Sequence, residues 1–353
     1  MDYTKQLEDL LGIVVKEGAS DLHLSEGKRP IIRVAGQLIP VLTQPELAKA
    51  DIQAFLEQLL SAKNKALFQE TSEVDFSYAY KNDGRFRGNA FVQQGNVGIV
   101  LRLIPNKIKS IAELGLPSIL ESFARKRQGF FIVVGPVGQG KTTTLAALIE
   151  MINLERAEHI ITIEDPIEYI YEPKKSIIDQ REVRVDTKDF NTALVSTFRQ
   201  DVNVLLVGEM RDHETMSAAV TAAETGHLVL STLHTNNAAQ TIDRIIDSFP
   251  SGQQDQIRVQ LSGSLLGIFS QRLIPRISGG SIPAYELLIN NNAVANLIRE
   301  KRTHEINTVI ETGMESGMVD MDRCLADLVR RGEITIENAY LHSLNPKILE
   351  RLV

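Results

Sequence analysis

At 353 residues the chain exceeds what one typical core accommodates, so two domains are expected. Its 38 basic and 45 acidic side chains leave a net charge of −7, which argues against a nucleic-acid binder that depends on a strongly basic surface. The single cysteine, Cys324, excludes an intrachain disulfide framework or a multi-thiolate site and fits a reducing cytoplasm, with the thiol packed in a helix. No apolar stretch approaches the roughly 20 residues needed to span a bilayer, and Met1–Lys5 lacks a basic-then-apolar leader pattern. A cytoplasmic protein is expected, any membrane attachment coming through a partner.

Leu7, Leu10, Leu11, Val14 and Val15 share one helical face that stops at Gly18. Asp21–Leu24 alternates as a strand with His23 facing outward, and a hairpin is expected around Ala35-Gly36. Ile52, Phe55, Leu56, Leu59 and Leu60 predict one helix over 50–70. Strands at 74–80, 85–93 and 97–104 follow, separated by the turn signals Asn82-Asp83-Gly84 and Gly95-Asn96. The reading is an α+β domain over 1–105 and a linker over 106–112.

From 113 to 273 the pattern becomes an α/β core. Strands are expected at 130–134, 159–163, 176–180, 204–207 and 227–233, with helices near 113–126, 142–153, 187–199 and 212–225. Beyond Thr235 helical spacing dominates, including one helix over 253–273. The stretch 283–289 is then the one strand in a mainly helical region over 274–353.

The sharpest motif is Gly135-Pro-Val-Gly-Gln-Gly-Lys-Thr142, which leaves the apolar run Gly129–Val134 and opens a helix. Its glycines permit a tight turn that points amide N–H groups at an anion, at the positive end of the helix dipole. Nucleoside triphosphate is the expected ligand, cradled by Gly135, Pro136, Val137, Gly138, Gln139, Gly140, Lys141, Thr142 and Thr143. Lys141 would reach the β- and γ-phosphates and the Thr142 hydroxyl would hold Mg²⁺.

Such a loop needs an acid on a neighbouring strand, and Val204-Leu-Leu-Val-Gly-Glu209 supplies one, so Glu209 is the candidate organiser of Mg²⁺, with water between them. Glu164 and Asp165, in Ile161-Thr-Ile-Glu-Asp-Pro166, leave another strand toward the same predicted sheet edge, either to polarise the attacking water or as a turn capped by Asp-Pro. His227 and His234 bracket one further strand. On spacing alone His234 is either a γ-phosphate sensor or a structural histidine. Arg85, Arg87 and Arg102 lie on strands of the first domain, as surface residues or as cations that offset transition-state charge.

Taken together, GPVGQGKT, ITIEDPIEYIY at 161–171, LLVGEMRD at 205–212 and GHLVLSTLHT at 226–235 resemble the secretion ATPases of type II secretion and type IV pili, specifically the pilus retraction ATPases of the PilT family. The likeness extends over nearly the whole chain, including Gly18–Leu24, Arg29–Arg33 and Gly84-Arg-Phe-Arg87. It implies a PAS-like N-terminal domain, a RecA-like ATPase core and a homohexameric ring that drives pilus disassembly. It implies Glu164 as general base, Glu209 with Mg²⁺ and water, His227 and His234 as a His box, and Arg87 and Arg102 approaching the phosphates. The implied partners are a type IV pilus inner-membrane platform protein and related pilus ATPases, at the inner face of the cytoplasmic membrane.

A chain this short with one cysteine favours retraction over extension or secretion relatives, which are longer and often carry a four-cysteine zinc insertion. An accessory PilU-like ATPase, a nucleotide-gated regulatory assembly module and a DNA translocase are the alternatives, the last disfavoured by the acidic balance. Three departures stand out: Gln139 at a small-residue position of the phosphate loop, Val202-Asn203 in place of Pro-Asp, and Ala295 where the AIRNLI-like segment 293–298 has Arg in the family.

Overall fold

The computed structural model describes residues 2–34, 36–81, 84–104 and 107–353. Ala35, Asn82, Asp83, Pro105 and Asn106, on which parts of the expected turns and linker fall, lie outside the described residues. The chain divides into two compact units, one running up to Lys107 together with Glu168–Ile170, the other comprising Ile108–Ile167 and Tyr171–Val353.

In the first unit, helix α1 (Tyr3–Lys16) starts where the Asp2 carboxylate accepts the Thr4 and Lys5 amides, and it buries Leu7, Leu10, Leu11 and Val14. Strands β1 (Asp21–Ser25), β2 (Ile31–Val34) and β3 (Gln37–Pro40) follow. The helix expected over 50–70 is two, α2 (Lys49–Leu59) and α3 (Ala62–Thr71). Ser61 breaks it, because its hydroxyl accepts the Asn64 amide and caps a new start. Strands β4 (Glu73–Tyr80), β5 (Gly84–Gln93) and β6 (Asn96–Ile104) complete an antiparallel sheet of order β3-β2-β1-β6-β5-β4. The β5–β6 turn is Gln94-Gly95, both with positive φ, one residue earlier than its sequence signal.

The second unit holds a sheet of order β13-β12-β7-β11-β10-β8-β9. Its strands are β7 (Gly129–Val134), β8 (His159–Glu164), β9 (Ile177–Glu182), β10 (Val204–Val207), β11 (Leu228–Leu233), β12 (Leu265–Pro275) and β13 (Ser281–Ile289). Neighbours from β12 to β9 run parallel and β13 joins antiparallel. The α/β class expected from sequence is therefore present, with β7, β10 and β11 buried along their whole length as parallel-sheet strands require.

The intervening helices are α4 (Leu120–Ala124), α5 (Lys141–Glu155), α6 (Phe190–Thr197), α7 (His213–Glu224), α8 (Ala238–Asp247) and α9 (Gln254–Ser264). The helix expected over 113–126 shortens to α4, because Gly115 has φ +67° and Pro117 follows. The helix expected over 253–273 is corrected more deeply: it ends at Ser264, and residues 265–275 form β12 beside β7. Strand β13 extends this same sheet past residue 273, so sheet rather than helix opens the C-terminal region. Helices α10 (Asn292–Arg299), α11 (Ile306–Thr312), α12 (Met321–Arg330), α13 (Ile336–His342) and α14 (Pro346–Leu352) make up most of the rest. Among the described residues no helix is long and apolar enough to cross a membrane.

Candidate nucleotide site

Parallel strands deliver their carboxyl ends to one edge, and the chemistry-bearing residues lie there. The phosphate loop leaves β7 with Gly135 at φ +148°, where a Cβ would meet the Gln271 carbonyl at 2.5 Å. Only glycine lets β7 and β12 approach so closely. Gly140 caps α5 from the left-handed region and offers no side-chain acceptor, so the first-turn amides face outward for an anion. This cradle fits a polyphosphate.

Lys141 is 7% exposed, and its ammonium donates to the Gly135 carbonyl at 2.8 Å and the Pro136 carbonyl at 2.9 Å. It also lies 3.3 Å from His234 Nδ1. Lysine has only protons to give, so Nδ1 accepts and the ring proton sits on Nε2, which faces Glu209 Oε2 at 3.7 Å. Burial first, then the Lys141 charge, holds the His234 imidazolium pKa below its ordinary value, although Glu209 pulls the other way. His234 is accordingly a neutral imidazole at neutral pH.

Glu164 ends β8 and is 4% exposed, with Oε1 accepting the Thr162 hydroxyl at 2.7 Å and the Gln180 amide at 3.4 Å. Glu209 follows β10, where the Gly208 amide continues the ladder to the Ile163 carbonyl at 2.8 Å. That ladder places Glu164 and Glu209 on adjacent strand ends. Arg211 pairs with Glu209 at 2.6 Å, and Arg184 reaches Asp165 at 3.5 Å. The Asp165–Pro166 bond is cis.

Not every expected residue joins this group. His227 precedes β11 at the amino edge of the sheet, where Nδ1 lies 3.0 Å from the Ala222 carbonyl and the ring meets Phe198. A whole strand at about 3.3 Å per residue separates it from the phosphate loop of its own chain. Within one chain the structure does not bring His227 to the cradle. Arg87 and Arg102 stand directly across from each other on β5 and β6 of the first unit. Arg102 is already engaged, donating to Asp21 at 2.8 Å. Asp21 is 4% exposed, and burial would raise its carboxyl pKa, but the Ser20 hydroxyl and Arg102 outweigh burial and hold it below the ordinary value. His23, expected to face outward, is half-buried, with Nε2 enclosed and lacking a hydrogen-bond partner among the described residues.

Two of the departures acquire a structural reason. The Gln139 side chain accepts the Leu273 amide at 2.6 Å, while its carbonyl accepts the Gln271 amide group at 2.8 Å. Gln271 also accepts the Thr144 hydroxyl at 2.6 Å, so the loop is fastened to β12 from both sides. The Asn203 side chain accepts the His159 amide at 2.8 Å just before β10, at the strand end away from the site. Ala295, on α10, is 8% exposed, whereas Asn296 is exposed and accepts a hydrogen bond from Arg299. Sequence reasoning missed Gln271 and its neighbours because it read their strand as helix.

A glycine cradle at a helix start, with two acids and a histidine on the adjoining strand ends, defines a P-loop nucleoside triphosphatase core. The sequence model of the family described as Type II/IV secretion system protein matches residues 3–315, and the chain belongs to that family. It is 44% identical over 333 residues to the Pseudomonas aeruginosa type IV pilus retractation ATPase PilT, covering 94% of this chain and 96% of that one. To the type IV pilus ATPase PilU of the same organism it is 41% identical over 339 residues, covering 96% and 88%. The crystal structure of the pilus retraction motor PilT with bound ADP superposes with a TM-score of 0.92 at 44% identity, covering 98% of both chains.

Proposed function

We propose that the protein is an ATP-hydrolysing motor that powers type IV pilus retraction. The observation that carries this reading is the convergence of Lys141, Glu164, Glu209 and His234 on one sheet edge, in a chain so similar to PilT over its length. On this reading Lys141 exchanges its two carbonyl partners for phosphate oxygens as nucleotide binds. Glu164, held by Thr162 and Gln180, orients the attacking water and takes its proton. The Thr142 hydroxyl and Glu209, the latter through water, would hold Mg²⁺, which when bound neutralises charge on the phosphates. Neutral His234, between Lys141 and Glu209, reports the phosphate's presence to the loop that follows β11. Arg87 and Arg102, the latter shared with Asp21, are the arginines assigned to offset transition-state charge.

Assembly as a homohexamer at the cytoplasmic face of the inner membrane, on a platform protein of the pilus machinery, completes the reading. The likeness to PilU favours a second version, an accessory ATPase working beside another motor. The deciding test removes the gene from its own cell. Twitching that stops while pili remain supports the motor, and twitching that continues against light load but fails under strong load supports the accessory version. Normal retraction under all loads contradicts both. Sedimentation with a non-hydrolysable ATP analogue checks the ring, which a strictly monomeric protein would refute.

A further inference from the structure

Strand β12 carries three consecutive polar residues inside an apolar run, Ser270, Gln271 and Arg272, and all are buried. Strand alternation sends them to opposite faces. Gln271 fastens the phosphate loop, as described above. Ser270 and Arg272 turn the other way, toward the loop His234–Asn237 that joins β11 to α8. The Ser270 hydroxyl donates to the Asn236 carbonyl at 2.8 Å. Arg272 donates to that carbonyl at 3.0 Å, to Asn236 Oδ1 at 3.1 Å and to its neighbour's carbonyl, Gln271 O, at 2.9 Å.

Arg272 is 6% exposed, yet its hydrogen-bond partners among the described residues are neutral oxygens. A buried guanidinium without a carboxylate in contact is costly to keep, and an apolar residue of like volume is usually the more stable choice. The arrangement also has a second side. Glu286 faces Ser270 across the β12–β13 register and accepts the Ala238 amide at 2.7 Å, which pins the first turn of α8. The segment between His234 and Ala238 is thus held at Asn236 by β12 and at Ala238 by β13.

We propose that Arg272 is a positioning residue for ATP hydrolysis: by holding Asn236 it sets the loop that keeps His234 between Lys141 and Glu209. Arg272 itself touches none of these three. It acts through two backbone steps, and a nucleotide-dependent shift of His234 pulls on Asn236 and so on β12, the strand that leads into the C-terminal region. The assignment rests on the reading of His234 given above.

The test compares Arg272→Met, Arg272→Lys and His234→Ala in the full chain. It measures steady-state ATP hydrolysis, affinity for a fluorescent ATP analogue and deuterium uptake by amides 235–239. Methionine keeps the volume and removes the buried charge, and leaves Glu286 its hydrogen bond from the Ala238 amide. We expect Arg272→Met to lower kcat roughly ten- to a hundredfold, the scale of a small misplacement of a reacting group. Analogue affinity should hold while loop amides exchange faster, and Arg272→Lys should recover part of kcat through its single ammonium. Parent kcat in Arg272→Met, or kcat and affinity falling together with no recovery in Arg272→Lys, overturns the proposal. If Arg272→Met does not fold, Asn236→Ala replaces it, since Asn236 is exposed and loses only the Oδ1 acceptor. Lowered kcat at parent affinity there supports the proposal, and parent kcat overturns it. His234→Ala at parent kcat refutes the reading of His234 itself, whereas slow His234→Ala with unchanged Arg272→Met refutes only the role of Arg272.

Discussion

The two sheets place their buried polar groups under opposite rules. In the antiparallel sheet of the first unit, the buried acid Asp21 is met by guanidinium groups, Arg102 at 2.8 Å and Arg33 at 3.8 Å, so charge answers charge. In the parallel sheet of the second unit, Lys141 and Arg272 rest on neutral carbonyls, and Glu286 rests on a backbone amide. The first arrangement is satisfied within its own fold. The second seats the Lys141 ammonium on backbone carbonyls that phosphate oxygens can replace, and that is what a site for an anionic substrate needs.

The largest break in this contrast is Lys141→Ala. It removes the cation seated on Gly135 and Pro136, and nucleotide binding and hydrolysis should both fall below detection in an analogue titration and a phosphate-release assay. Binding at parent affinity would mean the cradle works without its cation.

Next in size is a pair of glycines. Gly135→Ala drives a Cβ to 2.5 Å from the Gln271 carbonyl, which should cost about 2–3 kcal/mol in chemical denaturation and loosen the phosphate loop. Gly36→Ala, at φ +84° with nothing within 4 Å of its Cβ, carries only the left-handed penalty of about 1 kcal/mol. Equal costs would show that the loop does not depend on close contact with β12.

The pH dependence of stability should be opposite in the two units. Asp21 has a lowered folded pKa, so its contribution is present above the unfolded value near 3.8 and is lost as pH falls through the folded one. Burial raises Glu286 from about 4.5 to about 7, so its contribution is full at low pH and fades as pH rises through that window. Hydrogen exchange of β1 and β13 amides between pH 3 and 8 reads both, and Glu286→Gln should flatten the β13 slope alone. An unchanged slope in that variant removes Glu286 as its source.

The smallest effect in solution belongs to Asn296→Ala. The residue is exposed beside buried Val294, Ala295, Leu297 and Ile298, so folding and hydrolysis should match the parent. Retraction in cells should nonetheless be lost if α10 is a coupling surface, and normal retraction makes α10 a structural helix.

Much of this contrast was legible in the sequence. Gly129–Val134 followed by three glycines admits one local reading, because a buried parallel strand is a continuous apolar run and the loop needs positive φ. Glu164 and Glu209 were equally visible, each ending such a run. Strand β12 was not, since an apolar stretch buried on both faces has no period of two and Leu265–Ile274 fits helical spacing as well. Gly267 inside it and Pro275 at its end were the available signals. With that strand went Ser270, Gln271 and Arg272, and therefore the β12 contacts that fasten the two loops of the site. Asp21 escaped for a different reason: its partner Arg102 lies 81 residues away, and no local pattern carries such a pairing.

The central claim is that Glu164 is the base of an ATPase, and one measurement bears on it most directly. Glu164→Gln keeps the shape and the acceptor oxygen for Thr162 while removing the basic charge. A single-turnover assay with excess protein over labelled ATP should show nucleotide bound at parent affinity and hydrolysis slowed roughly 10²–10⁴-fold. Hydrolysis at the parent rate would contradict the account.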